Sequence, residues 1–211
     1  MKKAEKIRIL IADDHFIVRM GLVALVSTEP DMEIVAEAAD GGEALALFAK
    51  HRPDLALLDL RMPVKSGIQA ISEIRNQFPA ARILVLSAFD GDEDIYRALH
   101  AGAQGYVLKN CTADKLVPAL RAVAAGQNWI PGDVAQHLSS RKFSQELTSR
   151  EEDVLKELAK GLANKEIADN LSISEHTVKD HLKSILAKLQ VDDRTEAVTT
   201  AIQRGIIQLG Q

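Results

Sequence analysis

The sequence predicts an α/β domain, built on a five-stranded parallel sheet covered by helices on both faces, followed by a smaller all-α unit. Three observations predict it. Over the first 125 residues, short and almost wholly apolar runs alternate with longer segments of helical period, as βαβ units do. Beyond Leu147 the strand-like runs disappear and each remaining segment carries the 3.6-residue period. The chain has 211 residues, more than the roughly 100–150 of a typical single domain, which favours two cores.

Each element follows from its residues. The strands read as Ile7–Ala12, Glu33–Ala38, Leu55–Asp59, Arg82–Ser87 and Gly105–Leu108, and they are apolar throughout because both faces are covered. Helical segments follow at 15–28, 41–50, 66–77, 92–101 and 112–125. Right-handed crossovers then bring the loops at the carboxyl ends of the strands to one edge, where a ligand crevice forms. Residues 126–146 contain Gly126, Pro131 and Gly132 and keep no period, so they read as a linker. In the second unit, Thr148 to Glu151 has the pattern of a capping box and Gly161 ends that helix. Helix Asn164–Asn170, the turn Leu171–Ile173, a helix from Ser174 to about Gln190 and a last helix near Asp193–Arg204 complete it. The organisation is therefore 1–125, linker 126–146, and 147–211.

Composition excludes several classes. With 46% hydrophobic and 27% charged residues, the chain can bury a core and is neither fibrous nor disordered. Its longest apolar run, Ala44–Ala49, falls far short of the roughly 20 residues that cross a bilayer, so no membrane partner is expected. Cys111 is the only cysteine and the N-terminal residues carry no export signal, which predicts a cytoplasmic protein. Net charge is −4. It divides evenly: 15 basic against 17 acidic residues up to residue 125, and 11 against 13 after it. A polyanion partner must therefore be read from local pattern.

The chemistry gathers at strand ends. Asp13 and Asp14 follow the first strand and Asp59 closes the third, so the topology brings three carboxylates to one edge. They cannot all ionise cheaply unless a cation neutralises them, and an oxygen-only donor set with positions left to water suits Mg2+. Ser87 and Lys109, at the ends of the fourth and fifth strands, add a hydroxyl and an ammonium. Each residue alone is an ordinary helix cap, turn former or solvated lysine. Together they supply what phosphoryl transfer to a carboxylate needs.

The segments Ile11-Ala12-Asp13-Asp14-His15, Leu57 to Pro63 with Gly67, Leu86-Ser87-Ala88 and Ala101 to Lys109 resemble the receiver domain of bacterial two-component response regulators. The resemblance implies a flavodoxin-like (βα)5 fold in which Asp59 is phosphorylated by a partner sensor histidine kinase. It further implies that Asp13, Asp14, Asp59 and the backbone carbonyl of Arg61 hold Mg2+. Ser87 and Lys109 would contact the phosphate, and Tyr106 would be the aromatic whose rotamer turns inward on phosphorylation. This sequence departs from many members in placing Asn110, rather than proline, after Lys109. A cis Lys109–Asn110 bond is expected all the same, held by a rigid site against about 2.5–4 kcal/mol.

The second unit has helix-turn-helix proportions. Val178, Leu182, Ile185, Leu186 and Leu189 form one apolar stripe, leaving Lys179, Asp180 and Lys183 outward. Lys179, Lys183 and Lys188 could contact phosphates or bases, Asp180 could accept only from cytosine N4 or repel the DNA backbone, and His176 could touch a phosphate. His181 reads as a partly buried, hydrogen-bonded histidine. Leu147 to Glu151, Gly161, Asn164 to Ala168, Ser174, Thr177-Val178-Lys179 and Lys188-Leu189 resemble the LuxR-type DNA-binding domain, so the whole chain resembles the NarL/FixJ class. That implies double-stranded DNA read by the helix starting near Ser174, with Lys165, Ser174 and Thr177 among the contacts. It also implies a homodimer on a pseudo-palindromic site through Val198, Ala201 and Ile202 of an exposed last helix.

Three rival functions fit the residues less well. A phosphatase with an aspartate nucleophile would want a second carboxylate two residues on, where this chain has Arg61, so no enzyme is expected. A ligand sensor would need an apolar pocket and has no use for the acidic cluster. A transcription regulator independent of phosphorylation is the remaining alternative.

Overall fold

The computed structural model describes residues 6–88, 91–132 and 147–207; the rest of the expected linker, 133–146, lies outside the described residues. The chain divides into two compact units.

The first unit runs β1 (Ile7–Ala12), α1 (Phe16–Ser27), β2 (Met32–Ala38), α2 (Gly41–His51), β3 (Leu55–Leu58), α3 (Gly67–Gln77), β4 (Ile83–Ser87), α4 (Asp92–His100), β5 (Gly105–Leu108) and α5 (Ala113–Ala124). All strands pair in parallel in the order β2-β1-β3-β4-β5. The order reverses between β1 and β3, and such a switch point opens a crevice at the carboxyl ends. Pleating sends alternate residues to opposite faces. Ile9, Ile11, Leu55, Leu57, Leu84, Leu86 and Val107 pack with Leu22 and Val26 of α1 and Leu120 and Val123 of α5. The intervening Leu10, Ala12, Ala56, Leu58, Ile83 and Val85 are equally buried, and α2 and α3 bury Ala44, Phe48, Ala70, Ile71 and Ile74.

The helices start where the sequence supplies caps. Asp40 accepts from the N–H groups of Gly42 and Glu43 at 2.7 and 2.9 Å, and Ser66 with Gln69 forms a capping box for α3. The described part of the expected linker is tied to the sheet. Trp129 pairs beside β5: its carbonyl accepts from Tyr106 N–H at 3.0 Å, its N–H donates to the Gln104 carbonyl at 2.9 Å, and its side chain packs on the core. That pairing covers an edge strand that would otherwise be open.

The second unit contains α6 (Ser149–Ala159), α7 (Asn164–Leu171), α8 (Glu175–Leu189) and α9 (Arg194–Gln203). Thr148 and Glu151 cap α6 reciprocally, Ser174 caps α8 and Asp193 caps α9. Ser172, with φ 54°, ends α7 and turns the chain toward α8. Val154, Leu155, Leu158, Ile167, Val178, Ile185 and Leu189 form the core. Two arginines brace it: Arg150 donates to the Leu171 carbonyl at 2.5 Å and Arg194 to the Leu162 carbonyl at 2.9 Å.

Candidate functional site

Register places the first-unit site. Ala12 pairs with Leu58, so the next residues, Asp13 and Asp59, leave adjacent strands side by side. Asp59 N–H donates to the Ala12 carbonyl at 2.8 Å and Asp13 N–H to the Ala38 carbonyl at 3.2 Å, which fixes both backbones. Ser87 pairs with Leu108, and Lys109 N–H donates to the Ser87 carbonyl at 2.7 Å. Lys109 therefore rises at the same edge. Its Nζ lies 2.6 Å from Asp13 Oδ2 and 2.7 Å from Asp59 Oδ2.

Gly67 is a steric requirement of this arrangement. A Cβ there would sit 2.0 Å from the Asp59 carbonyl oxygen, so only glycine lets α3 begin against the Asp59 backbone.

The cluster is unbalanced in charge. Asp13, Asp59 and Ser87 are buried, while Asp14 keeps about a third of its side chain exposed. Burial pushes the Asp59 carboxyl above the usual carboxylate range; Lys109 pulls the other way, and the Asp13 charge adds to the rise. The Arg61 backbone N–H also bonds the Asp59 carboxylate. Burial works against the charged Lys109, but Asp13 and Asp59 outweigh it and hold the ammonium above its ordinary value. Three carboxylates thus face one ammonium. Ligand-type atoms of Asp13, Asp14, His15 and Asp59 all lie within 4.8 Å of one another. A crowded oxygen set with excess negative charge and one half-open carboxylate fits a hard divalent cation that keeps part of its water.

One expectation here needs correction. Lys109–Asn110 is not cis: no cis peptide occurs among the described residues. Without proline the trans amide is favoured by about 2.5–4 kcal/mol, and a turn closed by Cys111 N–H on the Leu108 carbonyl at 3.0 Å accommodates it. Tyr106 is fully buried in β5. Its ring thus occupies the inward position of the two that the expected switch would use.

In the second unit, Lys165, Lys179, Asp180, Lys183 and His176 are exposed. Lys179 pairs with Glu175 at 3.0 Å and His176 with Asp180 at 3.7 Å, both exposed pairs that cost little to open. Ser174 Oγ accepts from Thr177 N–H at 3.0 Å and lies 2.8 Å from Thr177 Oγ1, which caps the outward helix. Lys188 departs from the expectation. It turns inward to Glu151 at 2.7 Å, with side chains only 17% and 5% exposed. Glu151 also accepts from Ser184 Oγ at 2.6 Å and Thr148 N–H at 2.6 Å. Burial opposes its charge, but Lys188, Ser184 and Thr148 hold its carboxyl down to about 2. The Lys188 ammonium is thus spent on scaffold, not presented to DNA. Ala201 likewise belongs to the core, together with Ala197, because α9 packs its small residues inward; Val198 is half-buried and Ile202 is exposed.

The residues that the sequence reading did not assign are His15, Glu151 in its second role, and Arg19. His15 Nδ1 lies 2.8 Å from Asp14 Oδ1, and Arg19 donates to the Asp13 carbonyl at 2.5 Å. His15 stands directly after the acidic pair, a visible signal; the other two depend on tertiary contacts.

A receiver-type crevice followed by a helix-turn-helix unit defines a regulator class, and comparison with known proteins agrees. Residues 9–121 match the response regulator receiver domain family, and residues 145–201 match the family of bacterial regulatory proteins, luxR family. The chain belongs to the two-component response regulators, with a receiver domain and a LuxR-type DNA-binding domain. It is 43% identical over 205 residues to the uncharacterized transcriptional regulatory protein YhcZ of Bacillus subtilis, covering 93% of this chain and 95% of that one. It is 39% identical to the response regulator VraR of Staphylococcus aureus, over 96% and 99%. Among solved structures it resembles the response regulator ChrA of a heme-sensing two-component system (37% identity, 96% and 99% coverage, TM-score 0.58). It also resembles RcsB from Salmonella enterica serovar Typhimurium bound to a promoter in the presence of phosphomimetic BeF3- (28% identity, 93% and 98% coverage, TM-score 0.71). No helix among the described residues is long and apolar enough to cross a membrane.

Proposed function

We propose that a sensor histidine kinase transfers a phosphoryl group to Asp59, and that this switches promoter binding by the second unit as a homodimer in the cytoplasm. One observation carries the reading: Asp13 and Asp59, both buried, share the single ammonium of Lys109 at 2.6 and 2.7 Å. A carboxylate oxygen of Asp59 attacks phosphorus, a P–O bond forms, and the P–N bond to the donor imidazole breaks. Mg2+, held by Asp13, Asp14, Asp59 and the Arg61 carbonyl, would supply the positive charge that lets an anionic donor approach a carboxylate. Lys109 is placed to follow the new phosphoryl oxygens, and Ser87 offers a hydroxyl from the neighbouring strand end.

Double-stranded DNA is read from the exposed face of α8 through His176, Lys179, Asp180 and Lys183, with Ser174 and Thr177 at its N-terminal end and Lys165 on α7 adding contacts. Val198 and Ile202 supply the apolar part of a dimer contact. RcsB is described as dimers bound to DNA, which supports the same arrangement here. The test uses labelled phosphohistidine donor and the full chain. Asp59→Asn should abolish incorporation, and operator footprints with and without beryllofluoride should differ. Label retained in Asp59→Asn would refute the assignment of the acceptor.

A further inference from the structure

We propose that His15 is a ligand of the acidic site, and that its imidazole biases the site toward Mn2+ over Mg2+. The proposal rests on the reading that Asp13, Asp14 and Asp59 hold a divalent cation, and adds to it a nitrogen donor.

The backbone puts the ring there. His15 precedes α1 with extended dihedrals (φ −82°, ψ 104°), and its N–H donates to Asp13 Oδ1 at 2.9 Å. The side chain does not cap α1, the usual task of a polar residue at that position. Instead Nδ1 lies 2.8 Å from Asp14 Oδ1 and 3.3 Å from Asp13 Oδ1. Lys109 is committed to Asp13 and Asp59, and Arg19 points to the Asp13 backbone carbonyl, so neither pairs with Asp14. The 4.8 Å limit on the separations of the four ligand atoms is close to the roughly 4–4.4 Å between opposite ligands of one six-coordinate ion. Side-chain rotation covers the difference, because Asp14 and His15 are the exposed members of the set.

Donor type then decides selectivity. Mg2+ prefers oxygen and water and takes imidazole reluctantly, whereas Mn2+ accepts carboxylate and imidazole together. An oxygen-only site would give the two ions similar standing. A site carrying a neutral imidazole favours Mn2+.

The experiment titrates the full-length chain with Mn2+, following loss of the free-ion EPR signal, and measures Mg2+ by competition. Pulsed EPR on the bound Mn2+ reads 14N coupling directly. His15→Ala is expected to weaken Mn2+ by about tenfold or more, to change Mg2+ less than about twofold, and to remove the 14N coupling. His15→Gln, which keeps a donor toward Asp14 but no imidazole, should behave as the alanine variant does. Equal losses for both ions would make His15 a clamp on the carboxylates and overturn the proposal, as would wild-type Mn2+ without 14N coupling. If wild type binds neither ion and Asp59→Asn changes nothing, the underlying metal reading fails as well, a result distinct from both.

Discussion

Removing Lys109 should damage the first unit far more than removing the carboxylate it pairs with. Among the described residues, Lys109 is the only ammonium bonded to Asp13 and Asp59, whose side chains are 2% and 4% exposed. Lys109→Met keeps the length of the side chain but leaves two buried carboxylates facing each other. Breaking a buried pair by deleting one partner costs about 3–5 kcal/mol. Asp59→Asn does the opposite: Lys109 and Asp13 become a one-to-one pair, and the amide oxygen still accepts from Lys109. Its expected effect is within about 1 kcal/mol of wild type, or stabilising.

The only tryptophan, Trp129, packs against the first unit's core, so its fluorescence in urea follows this unit. With chelator present and a slope of about 2 kcal/mol/M, Lys109→Met should lower the midpoint by about 1.5–2.5 M. A second signature is pH. The Asp59 carboxyl is raised in the folded state, so between the ordinary carboxylate range and that raised value the folded state holds the extra proton. Its contribution to stability therefore grows as pH falls into this window and is lost as pH rises out of it. Wild type minus Asp59→Asn should show that slope. The reasoning is refuted if Asp59→Asn costs as much as Lys109→Met, or if the difference is flat with pH.

Gly67→Ala should cost about 1–3 kcal/mol by the same fluorescence assay and slow labelling of Asp59, because its Cβ would meet the Asp59 carbonyl at 2.0 Å. Glu151→Ala should destabilise the second unit by about 3 kcal/mol, read as faster hydrogen exchange in α6 and α8. The Glu151 carboxyl is lowered to about 2, so its contribution is complete above the ordinary glutamate range and is lost as pH falls toward 2; Glu151→Gln should remove that acid sensitivity. Lys183→Ala should reduce the salt slope of DNA binding by about 1 in log–log terms. Lys188→Met should leave that slope unchanged while lowering stability, and a reduced slope would return Lys188 to the DNA contacts.

The strands and the crevice were legible because the apolar runs stop where the chemistry begins: β1 ends at Ala12 before Asp13, and β3 at Leu58 before Asp59. Parallel topology then does the gathering. What escaped sequence reading depends on contacts between distant segments. Lys188 lies three residues after Ile185 and just before Leu189, on the border of the apolar stripe, where period alone does not choose inside from outside. Glu151, 37 residues away, chooses for it. Ala197 and Ala201 are four apart on a ten-residue helix whose apolar residues span two adjacent stripes; packing against the core selects the smaller pair. Trp129 lies in a stretch rich in breakers, and only its pairing with β5 shows that this stretch continues the sheet.

Two ionic clusters among the described residues differ in character, and their charge sums tell them apart. Glu151 and Lys188 balance one to one, and Glu151 also accepts from Ser184 Oγ and Thr148 N–H. The place of this cluster between α6 and α8 makes it a brace for the reading helix. Asp13, Asp14 and Asp59 against Lys109 leave two negative charges over, with Asp13 and Asp59 buried at adjacent strand ends and Gly67 set against the Asp59 backbone. Buried carboxylates fixed this close together are stabilised by binding positive charge. Residue types announce the acidic cluster in the sequence, whereas the Glu151–Lys188 pair appears only in the fold, and the fold shows which of the two is balanced in charge and which is left negative.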